Sequence, residues 1–145
     1  NADEVLIECN CSGGKTAIEV RGIKTNIKIK RKDNIPIASI KITGTAGVQE
    51  STCILDLEKE QTIKDLEEKA NEEVKRIIEK GIEVAKKFET DVFGFGNLLY
   101  KYYPHYFNSV EDTWNEIGFK NLKVNTEVSL KLESKGSIES RIKEQ

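Results

Sequence analysis

The sequence predicts an α+β domain: an antiparallel sheet of about four strands, with one long helix and two or more short helices packed on one face. Three observations lead there. Alternating, β-branched runs fill residues 4–48, a long helical periodicity follows from Thr62, and a cleanly alternating strand returns at Leu122. Strands, then helices, then a strand is the element order of an α+β layer fold. The 145 residues fit one domain spanning 1–145, with no internal repeat and no low-complexity linker.

Residues 4–10 read as a strand with Val5, Ile7, Cys9 and Cys11 sharing a face, and Ser12-Gly-Gly-Lys15 is a hairpin signal. The next segment, 16–31, alternates but slips phase, because Ile18 and Val20 are even while Ile23, Ile27 and Ile29 are odd. A side-chain period of two cannot absorb that slip without a bulge or bend, and Gly22 is the place for it. Lys32-Asp-Asn-Ile-Pro36 is turn chemistry leading into a third strand, about 37–48, with Ala38, Ile40 and Ile42 on one face. Residues 49–60 suggest a short extended segment carrying Ile54 and Leu55.

From Thr62 the apolar positions Ile63, Leu66, Ala70, Val74, Ile77, Ile78, Ile82, Ala85 and Phe88 recur in helical steps. Thr62 is the expected N-cap, with Asp65 in the capping-box position. Asp65–Lys69, Glu72–Arg76 and Glu83–Lys87 are expected i,i+4 pairs. The stripe drifts from a strict heptad, so a helix lying across a sheet, with Gly81 permitting close approach, fits better than a coiled coil. Past Asp91 the pattern breaks into short helices. Pro104 restarts the chain, and Phe107, Val110, Trp114 and Ile117 follow at helical spacing. Leu122 to Leu132 then alternates as a strand with one wet face, ended by Gly136.

Composition excludes several functions. With 23 basic against 25 acidic residues the net charge is −2 and the signs are mixed, so no nucleic-acid face is demanded. No run reaches the ~18 apolar residues of a membrane helix, which reads as a soluble chain. The opening at Asn1 and the absence of methionine lead us to expect a processed chain or an excised domain, with room for Asn1-Ala2 to be a cloning scar. Three cysteines, Cys9, Cys11 and Cys53, argue against a fully paired disulfide framework. They lack the second ligand pair of a zinc site and read as small strand residues, so no metal is expected.

The stretch Asp91-Val-Phe-Gly-Phe-Gly96 invites a phosphate-binding reading, but its companions are missing. A dinucleotide fingerprint needs a third glycine where Leu99 stands and a strand where the sequence has a helix. No Gly-Lys-Ser/Thr follows for a P-loop, and the single histidine, His105, has no activating partner in sequence. No catalytic residue, cofactor or metal is therefore assigned. The physical reading is architectural: Asp91 caps a short helix beginning near Phe93, while Gly94 and Gly96 clear the inward side for a close neighbour. Phe93, Phe95, Tyr100, Tyr103 and Phe107 fill the corner with Trp114. The cluster serves packing alone, or packing plus a protein-binding surface if partly exposed.

Asp91-x-Phe-Gly-Phe-Gly96, then Tyr103-Pro104-x-x-Phe107, Trp114 and an alternating strand ending near Gly136 resemble the C-terminal domain of the Ger(x)C family, the C subunits of spore germinant receptors. The match is best over about 62–136; Phe107 departs from it, standing where Trp is more usual. The resemblance implies the last domain of a larger lipoprotein, lipid-anchored upstream of this chain at the outer face of the spore inner membrane. It further implies action beside two membrane subunits, A and B, in nutrient-triggered germination, with no catalytic residues to carry over. A non-enzymatic interaction domain is the expected function. Direct binding of the nutrient as a small molecule is the alternative.

Overall fold

The computed structural model describes residues 3–8, 14–53 and 55–133. The elements in order are β1 (Asp3–Glu8), β2 (Lys15–Lys32), β3 (Ile35–Ser51), α1 (Glu60–Lys87), α2 (Phe95–Tyr102), α3 (Pro104–Val110), a 3₁₀ turn (Glu111–Thr113), a π turn (Trp114–Gly118) and β4 (Lys123–Leu132). The four strands form one sheet in the order β1-β2-β3-β4, so the α+β class holds. The sheet is mixed, not wholly antiparallel as expected. β1 and β2 pair antiparallel, from Asp3 opposite Val20 to Glu8 opposite Lys15. A tight hairpin joins β2 to β3, but β4 is reached through α1 and the short helices, and a helical crossover is the connection that lets neighbouring strands run parallel.

Local chemistry explains the strand boundaries. Asp33 and Asn34 both have positive φ, 53° and 65°, the requirement of a two-residue hairpin turn that matches strand twist. Gly22 has φ 60°, so the bend inferred from the phase slip lies there, and β2 continues through it to Lys32. The Ser12-Gly-Gly turn, Cys9, Cys11, Ile54 and Gly136 fall outside the described residues, apart from Gly14 and Lys15 at the end of that turn. Cys53 is buried, as expected of a small packing residue, but its sulfur is also in a disulfide bond, which the sequence did not anticipate.

The fold's contacts divide into two units, each built from parts of β2, β3, α1 and β4. In the first, Val5, Ile7, Ile18, Val20, Val48, Leu66, Ala70, Leu130 and Leu132 form a hydrophobic core. Here α1 also closes the free edge of β4. Asn71 Oδ1 accepts the Leu130 N–H at 2.8 Å and Glu67 Oε2 accepts the Leu132 N–H at 3.0 Å. Four helical residues rise ~6 Å and two strand residues ~6.7 Å, so one helical turn of side chains matches successive edge donors. This satisfies an edge that would otherwise offer itself to another chain.

α1 begins at Glu60, two residues before the expected N-cap, and Thr62 lies inside its first turn. The capping box does not form: Asp65 Oδ1 accepts from Gln61 Nε2 at 2.8 Å, and the chain enters through Asp56, whose Oδ1 accepts the Glu58 N–H at 3.1 Å. The expected Glu72–Arg76 and Glu83–Lys87 pairs give way to Glu73–Arg76 and Lys80–Glu83 at i,i+3. Ile77 and Phe88, placed in the apolar stripe from sequence, are exposed. Gly81 allows no unusual approach, since a Cβ there would meet only Phe93 Cζ at 3.9 Å.

The second unit contains the β2–β3 hairpin from Asn26 to Lys41, and everything from Ile77 to Glu127. Its buried side chains include Ile29, Ala38, Ile40, Ile82, Phe95, Leu99, Trp114, Phe119 and Leu122. The continuous helix expected through Ile117 is broken after Val110 into the 3₁₀ and π turns.

Candidate interaction site

α1 ends in a left-handed residue, Glu89 at φ 53°. The Glu89 N–H donates to Lys86 O at 3.1 Å and the Thr90 N–H to Ala85 O at 3.0 Å, the pair of bonds by which a helix C-terminus turns its chain back. Lys120 Nζ meets Glu89 Oε1 at 3.2 Å. Lys86 Nζ donates to the Leu122 carbonyl, and burial pushes its ammonium below the ordinary lysine range. The chain thus leaves α1 in a fixed direction and delivers Asp91 to the start of α2.

Asp91 organises the site with a single carboxylate. Oδ1 accepts the Phe95 N–H at 3.1 Å and Oδ2 the Gly96 N–H at 2.7 Å, the first two donors of α2. Oδ2 also accepts the indole Nε1–H of Trp114 at 2.9 Å. The Asp91 N–H in turn donates to Asn115 Oδ1 at 3.3 Å. Negative charge at a helix N-terminus is favourable, and the same oxygen satisfies a buried indole donor that would be costly to leave alone. α2 begins at Phe95, two residues later than expected near Phe93, and Asp91 still caps it from outside.

Trp114 lies between two glycines. A Cβ on Gly96 would stand 2.7 Å from its Nε1, and a Cβ on Gly118 2.2 Å from its Cε3. The indole is only 5% exposed. The π turn contributes directly: the Phe119 N–H bonds to Trp114 O at 2.6 Å, five residues back, and that wider turn carries Gly118 over the ring. Gly94 was expected to clear space in the same way, but its surroundings are open, with Asn97 Nδ2 at 3.8 Å from a built Cβ. Its φ of 77° is what requires glycine there.

The aromatic residues form two strings. Tyr100, Phe107 and Trp114 meet edge to face at 6.0 Å and 6.0 Å. Phe93 stacks on Phe95 at 5.6 Å, and Phe95 lies 6.1 Å from Phe119. Both distances and angles suit the ring quadrupoles. Tyr103 is turned away to Arg31, which lies 5.6 Å from its ring centre and 4.2 Å from that of Tyr106. Pro104 opens α3 as expected and is exposed, making no ring contact of this kind. Asn115, Gly118, Phe119, Tyr106 and Arg31 were missed from sequence. Phe119 could have been found as an aromatic just past Trp114, whereas Arg31 comes from a distant hairpin and carried no signal.

The outer surface of this corner is aromatic, with Tyr100 57% and Tyr102 59% exposed, while its base is locked. Nearby, Asn34, Pro36, Tyr106, Val110, Trp114 and Ile117 help line a mainly apolar cleft of about 260 Å³. His105 is exposed, and the disulfide leaves Cys53 no thiolate to offer. Among the described residues no cluster of three or more His, Cys, Asp or Glu could hold a metal ion, and no helix is long and apolar enough to cross a membrane.

A family model described as "Spore germination B3/GerAC like, C-terminal" matches residues 1–136. The spore germination protein KC of Bacillus subtilis (strain 168) is 22% identical over 140 residues, covering 94% of this chain and 34% of its own length. The crystal structure of the GerBC protein superposes with a TM-score of 0.72 at 18% identity, over 90% of this chain and 40% of that one. The chain therefore spans about a third of the curated relative and two fifths of the solved one.

Proposed function

Starting from a chain that belongs to the spore germination B3/GerAC-like C-terminal family, we propose that it is a non-enzymatic interaction domain of a spore germinant receptor C subunit. In this reading it works beside the A and B membrane subunits in nutrient-triggered germination. A lipid anchor upstream of the chain holds it at the outer face of the spore inner membrane. The disulfide at Cys53 supports an oxidising compartment. The observation that carries the proposal is the pairing of exposed Tyr100 and Tyr102 with the rigid base built by Asp91 and Trp114. Exposed tyrosines on a preorganised support are the usual anchors of protein interfaces.

The test is a receptor carrying Tyr100→Ala and Tyr102→Ala. Its C subunit should accumulate normally, while co-purification with the A and B subunits and nutrient germination both fall by at least about tenfold, the loss of one good anchor. Normal assembly and germination with both tyrosines removed would sink the interface at this corner. The cleft beside Trp114 supports a second reading, direct binding of a small nutrient, although its volume is at the small end for ligand sites. Calorimetry with amino acids and sugars at millimolar concentration decides it: saturable heats that Ile117→Trp abolishes would favour nutrient binding.

A further inference from the structure

β1 pairs with β2 only as far as Val20, whereas β2 continues to Lys32. From Asn26 to Lys32 the side of β2 away from β3 has no neighbouring strand among the described residues, and none of the backbone hydrogen bonds made outside the strands reaches it. α1 covers the free edge of β4 with side-chain acceptors; no equivalent cover serves this stretch among the described residues.

A groove of about 460 Å³ runs here, lined by Asn26, Ile27, Lys28, Ile29 and Lys30 and, across from them, by Tyr102 and Tyr103. Successive residues of a strand point to opposite faces, so a groove lying over one face would touch alternate residues. Five in succession place the groove along the backbone edge itself. Such an edge presents N–H and C=O groups every second residue, the spacing at which an added strand pairs.

The charge of the edge selects its occupant. Asn26–Lys32 contains Lys28, Lys30, Arg31 and Lys32 and no acid, in a chain of net charge −2. Lys28, Lys30 and Lys32 are exposed, and none takes part in the ion pairs found among the described residues. Arg31 is held over Tyr106 and Tyr103, with Nε buried and without a hydrogen-bond partner. Two such basic edges would repel each other, which disfavours pairing with a second copy. An extended chain bearing carboxylates is complementary in shape and charge.

We propose that this edge receives an extended acidic segment of a partner protein as an added β-strand, with Lys28 and Lys30 meeting its carboxylates and Tyr102 and Tyr103 flanking it. The inference stands on the hairpin and the two tyrosines across the groove from it, and it does not depend on the receptor role. The probe is a labelled, capped peptide of about six residues alternating glutamate and valine, titrated against the whole chain by fluorescence anisotropy, with an alternating lysine–valine peptide as control. The acidic peptide should bind, weaken with added salt, and slow hydrogen exchange at amides of residues 26–32. Lys28→Glu with Lys30→Glu should lower its affinity at least about tenfold, each reversal replacing attraction by repulsion.

Equal binding of the two peptides would overturn the proposal without recourse to any variant, as would protection confined to other residues. Vesicles of phosphatidylglycerol in phosphatidylcholine supply the remaining arm. Vesicle binding lost in the double variant, with no peptide binding, would assign the lysines to an anionic membrane surface instead.

Discussion

Removing the Asp91 carboxylate tests the central claim about the site. In Asp91→Ala, α2 loses its N-terminal acceptors, a loss of about 1 kcal/mol. The indole N–H of Trp114, buried at 5% exposure, loses the acceptor it holds at 2.9 Å. An unsatisfied buried donor costs ~1–3 kcal/mol, so the expected total is roughly 2–4 kcal/mol. Urea unfolding followed by far-UV circular dichroism and by the chain's sole tryptophan measures it, as a lower midpoint with an unchanged slope. In a Trp114→Phe background the indole donor is absent, and the cost of Asp91→Ala should shrink by about 1–3 kcal/mol, leaving the cap alone. A loss below about 0.5 kcal/mol, or the same loss in both backgrounds, would refute the reading of Asp91 as a joint cap and indole acceptor.

Two further outcomes follow from contacts at single residues. Gly81→Ala should stabilise the chain by up to about 1 kcal/mol, because the site on α1 is exposed and open; Gly96→Ala and Gly118→Ala should destabilise it by about 1–3 kcal/mol through collision with Trp114. Thermal midpoints of the three variants should therefore move in opposite directions. The hydrogen bond from Arg76 holds the Glu73 carboxyl below the ordinary carboxylate value. Its stabilisation is present above the unfolded-state pKa and lost as pH falls through the lowered folded value. Glu73→Gln should lower the urea midpoint slightly at neutral pH, an effect that fades at about pH 2 or in about 1 M salt; a difference that persisted under both conditions would count against the ion pair as its source.

How much was legible in the sequence varied with the range of the interaction responsible. The bend at Gly22 and the turn at Asp33-Asn34 follow from backbone preferences of one or two residues, and both were readable. The cap by Asp91 was readable too, being separated from its donors by four and five positions. The start of α1 was misplaced because the chain turns before Thr62: Asp56 accepts the Glu58 N–H and Lys59 O already accepts the Ile63 N–H, and a helix end read from capping residues is good only to about two positions. The exposed Ile77 and Phe88 show the limit of periodicity: it identifies one face of a helix, while the covering layer decides how much of that face is buried.

By itself the sequence determined the α+β class, the order of elements, the motif from Asp91 to Trp114 and the family to which the chain belongs. Those properties rest on local spacing and side-chain period. Only the tertiary structure decided that the sheet is mixed, that Asn71 and Glu67 close the edge of β4, that Trp114 is clasped between Gly96 and Gly118, and that, among the described residues, β2 runs past its partner to leave a basic edge. Each depends on groups brought together from separate elements, or on the absence of a neighbour. The glycines of Phe-Gly-Phe-Gly show the division within one motif. Gly94 is required by its own φ, a local property, and Gly96 by an indole that arrives eighteen residues later in the chain.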